Sequence, residues 1–299
     1  MNYSTLSNHP ATTAEGDVLL LSIYQEGKLS NAADAVDQAT QGSISACLEF
    51  GDFTGKTGQT HLIYQTDGIK ASRVLLVGVG ESENFDAFSI KKATASALKS
   101  LSNQAIESVV SYLGDDLQDT SAVVTQTILA AADSQYQFTV HKSEPDAAPS
   151  DRTLTIAFTN ETDTLDATLN NAQGMAVGTE LSRDLSNQPG NVCTPTYLAD
   201  TAKALASTYD ALDVEILEES DMEALGMGSF LSVSLGSDQP GKLVVLKYNG
   251  AKDNSEAPIA LVGKGVTFDT GGISLKPGAS MDEMKFDMVG AASVLGTIK

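Results

Sequence analysis

Four side chains near the end of the sequence have the types and spacing to hold cations. Gly263-Lys264-Gly265-Val266-Thr267-Phe268-Asp269-Thr270-Gly271-Gly272-Ile273-Ser274-Leu275-Lys276-Pro277 is followed by Met284-Lys285-Phe286-Asp287-Met288. Lys264, Asp269, Lys276 and Asp287 therefore share one short, glycine-rich stretch. Hard divalent cations favour carboxylate oxygens, and two such ions can share a bridging carboxylate. Ions about 3.5–4 Å apart can bridge a water and make it a hydroxide nucleophile near neutral pH. Positive potential beside them favours a neutral lysine amine, which is itself a ligand. A second lysine, held further off and protonated, can stabilise an oxyanion. This pattern is one way to build a dinuclear site without histidine. Spacing alone also allows a plainer alternative, in which Lys and Asp merely solvate a glycine-rich turn at a strand end.

These residues need elements to position them. Ile259-Ala260-Leu261-Val262-Gly263 reads as a strand, which sets Lys264 at its carboxyl edge, where open parallel sheets bind ligands. Asp269 falls in the following loop, and Gly271-Gly272 allows a sharp turn. Asp287 opens a segment rich in small residues (Gly290, Ala291, Ala292, Ser293, Gly296) that reads as a tightly packed helix. Upstream, the pattern predicts strand Asp213–Leu217, a helix near Asp221–Leu225 and strand Lys242–Tyr248. Lys242–Tyr248 and Ile259–Gly263 are mostly continuous apolar runs, as expected for a parallel sheet covered on both faces.

The first half alternates strands with helices. Strands are predicted at Val18–Ile23, Arg73–Val79 and Thr153–Phe158, and helices at Lys91–Leu101 and Thr120–Ala131. That alternation indicates an α/β domain. A surface loop is expected at Lys142–Ser150. Leu165, Leu169, Ala172, Ala176 and Leu181 follow helical spacing, and this helix is expected to cross from the first domain to the second, ending near Arg183–Asn191. Tyr197–Tyr209 reads as the next helix, capped by Thr194 or Thr196. The expected domains are 1–162 and 163–299, since single cores stop growing near ~250 residues.

Lys+Arg 18 against Asp+Glu 39 gives a net charge of -21, which disfavours nucleic acid and anionic lipid as partners. From Ile259 to Lys299 the charges balance: Lys264, Lys276, Lys285 and Lys299 against Asp269, Asp282, Glu283 and Asp287. The carboxylates there are not simply part of an acidic surface. Cys47 and Cys193 make no disulfide framework and fit a reducing compartment. Val18–Ile23 lacks a basic flank, and no run approaches the ~20 apolar residues of a membrane span, so a soluble cytoplasmic protein is expected. Gly78-Val79-Gly80-Glu81-Ser82-Glu83 hints at a dinucleotide fingerprint, but Glu83 replaces the third glycine and acids there repel pyrophosphate. His9, His61 and His141 lie at no metal spacing and read as surface or turn residues. Cys193 has no histidine nearby in sequence to activate it as a nucleophile.

Gly263–Pro277, followed by Met281-Asp282-Glu283-Met284-Lys285-Phe286-Asp287-Met288-Val289-Gly290-Ala291-Ala292, resembles the signature region of the leucine aminopeptidases, the cytosol aminopeptidase family. Arg183–Pro195, Gly226–Val233 with Gly236-Ser237, and Arg73–Gly80 are similar to further stretches of that family, in order along the chain. The resemblance implies an α/β fold throughout, with an N-terminal macro-like α/β domain before the first part of an α/β/α zinc-peptidase-like catalytic domain. It implies two divalent metal ions, Mn2+ or Zn2+. Lys264 would be the amine ligand, Asp269 the carboxylate touching both metals and Asp287 the ligand of one. Lys276 would polarise the scissile carbonyl, and Met284 would line the pocket for the substrate's first side chain. The implied reaction releases an N-terminal amino acid, often leucine, from a peptide substrate, in a homo-hexamer and with a bicarbonate as proton shuttle. Some family members bind DNA, which the net charge of -21 argues against here. Thr270 stands where the family usually has serine. The family's Asn-Thr-Asp-Ala-Glu-Gly-Arg motif, with two more carboxylates and the bicarbonate arginine, is absent from this sequence. The expectation is an N-terminal portion of a metallo-aminopeptidase, inactive alone; the competing expectation is a non-catalytic pseudo-peptidase or regulatory binding module.

Overall fold

Successive side chains of a strand point to opposite faces, so a strand buried at every position needs cover on both sides. Val18–Tyr24 is such a strand: all seven residues are buried. Around it the computed structural model, which describes residues 1–51, 53–64, 66–144, 151–251 and 257–299, places a layered α/β unit. The chain divides into two compact units, Met1–Ala176 and Val177–Lys299.

The first unit is built on a six-stranded sheet. Its strands are β1 (Asn2–Leu6), β2 (Val18–Tyr24), β3 (Thr60–Ile63), β4 (Val74–Gly80), β5 (Ser108–Ser111) and β6 (Thr153–Ala157), in the order β1-β6-β5-β2-β4-β3. Every neighbouring pair is parallel except β3 with β4. The helices are α1 (Asn31–Ala39), α2 (Ser43–Glu49), α3 (Ala87–Ser100) and α4 (Thr120–Gln135). The period-two alternation of β2 sorts the core into two layers. Val18 and Leu20 pack with Leu75, Val77 and the buried faces of α3 and α4. Leu19, Leu21 and Ile23 pack with Leu76, Phe53 and the apolar sides of α1 and α2. Side-chain caps fix three helix starts: Ser30 accepts from Ala33 N–H, Asp86 from Ser89 N–H and Asp119 from Ala122 N–H.

All three strands and both helices expected in this region form, within a residue or two at the strand ends and with longer helices. Gly78 and Gly80, which hint at a nucleotide loop in the sequence, instead serve the edge of the sheet. Gly78 N–H donates to Gln59, Gly80 N–H donates to Gly55, and a side chain on Gly78 would strike the backbone of Gly55 and Lys56. His61, expected at the surface or in a turn, is exposed on β3, opposite Leu76. Of the expected loop at 142–150, residues 145–150 lie outside the described residues. Cys47 and Cys193 are not joined in a disulfide. Among the described residues no helix is long and apolar enough to cross a membrane.

The unit boundary falls within α5 (Asp166–Asn187), the long helix expected from the leucine and alanine spacing. The second unit continues with α6 (Pro195–Thr208), β7 (Leu212–Leu217), α7 (Glu219–Ala224), α8 (Gly228–Ser234) and β8 (Leu243–Tyr248). A 3-10 turn at Met281–Met288 then leads directly into α9 (Val289–Ile298). Thr194 caps α6 by accepting from Tyr197 N–H, and Pro195 occupies the first turn. Leu185, Cys193, Leu198, Ala202, Leu205, Leu212, Met288, Ala292 and Leu295 form the core of this unit.

Two expectations fail here. β7 and β8 pair antiparallel, Leu212 opposite Tyr248 and Leu217 opposite Leu243, rather than joining a parallel sheet. Ile259–Gly263 forms no strand, and Ile259 and Val262 are 90% and 95% exposed. The physical reason is a missing ladder. An apolar run becomes a strand when a neighbour takes its backbone hydrogen bonds. Among the described residues no strand pairs with this one.

Candidate metal centre

Because Ile259–Gly263 is not a strand, Lys264 does not stand at a sheet edge. Its backbone is held by α9 instead: Ala291 N–H, in the first turn of that helix, donates to the Lys264 carbonyl at 2.8 Å. The Lys264 side chain then reaches Asp287, two residues before α9 begins, with Nζ 2.5 Å from Oδ1. The second oxygen of that carboxylate, Asp287 Oδ2, is buried and has no hydrogen-bond partner. A buried, unpaired carboxylate oxygen is costly, and it marks a place where another positive group is accommodated cheaply.

Asp269 and Lys276 form the second pair. Asp269 Oδ2 accepts from Lys276 Nζ at 2.9 Å, and Oδ1 accepts from Gly271 N–H at 2.8 Å. Lys276 N–H donates to the Thr270 carbonyl, which closes the loop between them at 2.9 Å. The hydrogen bond from Lys276, with that from Gly271 N–H, holds the Asp269 carboxyl below the usual aspartate range. Lys264 also acts on Asp269 through its charge, so the two pairs share one electrostatic neighbourhood. Lys276 Nζ lies 3.1 Å from Met284 Sδ, within the 3-10 turn that carries Asp287. The five residues named from the sequence thus make two contact groups, Lys264 with Asp287 and Lys276 with Asp269 and Met284.

The approach of the Arg183–Pro195 stretch to this site is not encoded in any local spacing. Gly190 backs onto Phe268, beside Asp269, so closely that a methyl there would stand 2.9 Å from the Phe268 Cβ. Lys285 Nζ reaches the Asn187 carbonyl at 3.5 Å. The glycine in Pro189-Gly190-Asn191 was the available signal, but a close approach across such a distance in sequence has no local signature.

Amine nitrogen and carboxylate oxygen are donors that hard or borderline divalent cations accept. The set is thin in anionic ligands. Among the described residues, no group of three or more His, Cys, Asp or Glu side chains is placed to hold a metal. The site is also open, with the four charged side chains between 22% and 58% exposed. Ion pairs so exposed are screened by solvent and contribute little to folding. Stability is therefore a poor reason for gathering them.

Residues 180–299 match the family model of the cytosol aminopeptidase catalytic domain, and residues 20–145 match that of the family's N-terminal domain. The chain belongs to the cytosol aminopeptidase family. A cytosol aminopeptidase of Pseudomonas aeruginosa is 44% identical over 303 residues, covering 100% of this chain and 61% of its own length. A probable cytosol aminopeptidase of Thioalkalivibrio sulfidiphilus is 43% identical over 305 residues, again covering 100% and 61%. Among solved structures, a mutant of tomato leucine aminopeptidase superposes with a TM-score of 0.78 at 25% identity, covering 100% of this chain and 58% of its own. The bottromycin maturation enzyme BotP in complex with Mn gives a TM-score of 0.71 at 26% identity, covering 94% and 55%. This member of the family thus spans about 60% of the length of the curated relatives it matches.

Proposed function

We propose that this chain carries the first part of a metallo-aminopeptidase centre, in which Lys264, Asp269 and Asp287 are ligands of divalent metal. The observation that carries the reading is the buried Asp287 Oδ2, left without a partner while Oδ1 is engaged by Lys264. Family membership and the manganese bound by BotP support it. When bound, a pair of Mn2+ or Zn2+ ions supplies Lewis acidity and a hydroxide nucleophile. The residues of this chain supply the rest. Lys276, now 2.9 Å from Asp269, presents an ammonium able to donate to a substrate carbonyl oxygen and to stabilise the oxyanion that develops there. Met284, against Lys276, offers a thioether to the side chain of the residue being released. The substrate class is a peptide with a free N-terminus, leucine among the first residues accepted. A cytoplasmic homo-hexamer and a bound bicarbonate belong to the same reading.

The chain by itself is proposed to be inactive as a peptidase. Two carboxylates are too few anionic ligands for two dications, and no third joins them among the described residues. The same shortage supports the second reading, a non-catalytic binding module. Calorimetric Mn2+ titration decides the ligand assignment: one weak site is expected in the wild type, weakened about tenfold or more by Asp287→Asn. Equal binding by wild type and Asp287→Asn, or none by the wild type at millimolar Mn2+, would end the assignment. Release of p-nitroaniline from leucine-p-nitroanilide by the pure chain with Mn2+ would refute the proposed inactivity.

A further inference from the structure

We propose that Gly290 and Gly263 are positioning residues: together they form a bare-backbone seat that registers Lys264 against Asp287. The inference rests on the ligand reading above for its purpose, but on independent geometry for its existence. Lys264 and Asp287 lie 23 residues apart in sequence, on segments with no strand or helix in common. Their backbones meet where neither has a side chain to intervene. A methyl at Gly290 would stand 2.8 Å from the Lys264 nitrogen and 3.2 Å from its carbonyl oxygen. One at Gly263 would strike the Gly290 carbonyl and come within 2.7 Å of the Ala291 Cα. Ordinary contacts of this kind lie near ~3.5–4.0 Å, so either methyl must push the two segments apart. The 2.8 Å hydrogen bond from Ala291 N–H to the Lys264 carbonyl locks the seat once they have met.

The consequence for the site is direct. Asp287 precedes Gly290 in the turn that starts α9, and Lys264 follows Gly263. The seat therefore fixes the origins of both side chains, and their 2.5 Å contact follows from it. The other end of α9 has a similar close approach, Gly296 against Gly178 on α5, but carries no member of the site. Gly296→Ala consequently strains the same helix without touching the seat.

Zero-length cross-linking reads this geometry without any metal. A water-soluble carbodiimide activates a carboxylate, the neighbouring lysine amine displaces the activated group as an amide forms, and the carbodiimide leaves as its urea, having taken up the elements of water. Peptide mass spectrometry then quantifies the Lys264–Asp287 product. The Lys247–Glu215 pair, 3.0 Å apart across β7 and β8, reports that the second unit is folded. Gly290→Ala and Gly263→Ala are each expected to lower the Lys264–Asp287 yield on the order of tenfold, with the Lys247–Glu215 yield kept. Gly296→Ala is expected to lower it far less. An unchanged Lys264–Asp287 yield in either folded variant overturns the proposal. So does loss of the Lys247–Glu215 product in both, because the glycines would then serve folding in general rather than local register. Mn2+ calorimetry on the same variants separates the two layers. Lost cross-linking with no metal bound by the wild type would keep the seat and remove the ligand reading.

Discussion

Two apolar runs of similar composition meet opposite fates in this molecule. Val74–Gly80 in the first unit is buried at every position, between β2 and β3 and between two layers of helix. Ile259–Gly263 in the second unit forms no strand, and its Ile259 and Val262 are almost fully exposed. Hydrophobicity states a preference worth about 1.5–3 kcal/mol per large side chain, but the preference is realised only when other segments bring ladder partners and cover. The first unit has a six-stranded sheet with helices packed on it to supply both. Among the described residues the second has a single antiparallel pair. Ile273 and Leu275, beside the candidate centre, are likewise exposed.

The largest test of this contrast is a pair of truncations. Leu76, at 0% exposure, packs in the layer with Leu19, Leu21 and Phe53. Leu76→Ala is expected to destabilise the first unit by about 2–5 kcal/mol in urea unfolding. Val262→Ala, at a 95% exposed position, is expected to change stability by less than about 0.5 kcal/mol. A large loss from Val262→Ala would mean that the second unit covers this run in solution, and the contrast drawn here would fail.

What could be read from the sequence divides along the same line. Val18–Tyr24 and Val74–Gly80 declared themselves because their apolar content reflects burial on both faces, and Thr153–Ala157 because buried Leu154 and Ile156 alternate with threonines. β5, only four residues with a serine at each end, and β1, Asn-Tyr-Ser-Thr-Leu, did not, since half-exposed or short strands carry little pattern. α1 and α2 were missed as well. The contacts of Lys264 with Asp287, and of Lys276 with Asp269 and Met284, are local, because every member lies on one stretch within reach of the same turns. The antiparallel pairing of β7 and β8 was not legible, because strand direction depends on what else is available to pair. Neither was the orphaned Asp287 oxygen, a product of packing that no spacing encodes.

The two thiols sharpen the contrast at intermediate scale. Cys193 belongs to the core of the second unit at 1% exposure, and burial pushes its thiol up to about 11. Cys47, on α2 of the first unit, is partly exposed. At pH 8 Cys193 holds on the order of 100-fold less thiolate than an ordinary cysteine, before access is considered. Ellman's reagent is expected to label Cys47 readily, while Cys193 reacts only after denaturation. Rapid labelling of Cys193 in the native chain would show that the second unit lacks the closed core described here.

The smallest effect separates two carboxylates inside the first unit. Asp17 accepts backbone hydrogen bonds from Glu107 and Ser108, which hold its pKa below the ordinary value. Its stabilisation is present above the unfolded aspartate pKa, near ~3.9, and is lost as pH falls through the folded value. Asp115 is buried at the far end of β5, and desolvation raises its pKa although Thr159 donates to both oxygens. The sign reverses: its favourable contribution is complete below ~3.9 and disappears as pH rises through the raised folded value. Asp17→Asn should therefore remove part of the acid-side loss of stability, measured by urea unfolding between pH 3 and 7. Asp115→Asn should remove an opposing slope and leave neutral-pH stability unchanged or higher, since an amide oxygen still accepts from Thr159 N–H without the cost of a buried charge. If Asp115→Asn lowered stability at neutral pH by as much as Leu76→Ala, the ionised carboxylate would be a positive contributor to the fold. The first unit would then tolerate buried charge in a way that its purely apolar layers do not explain.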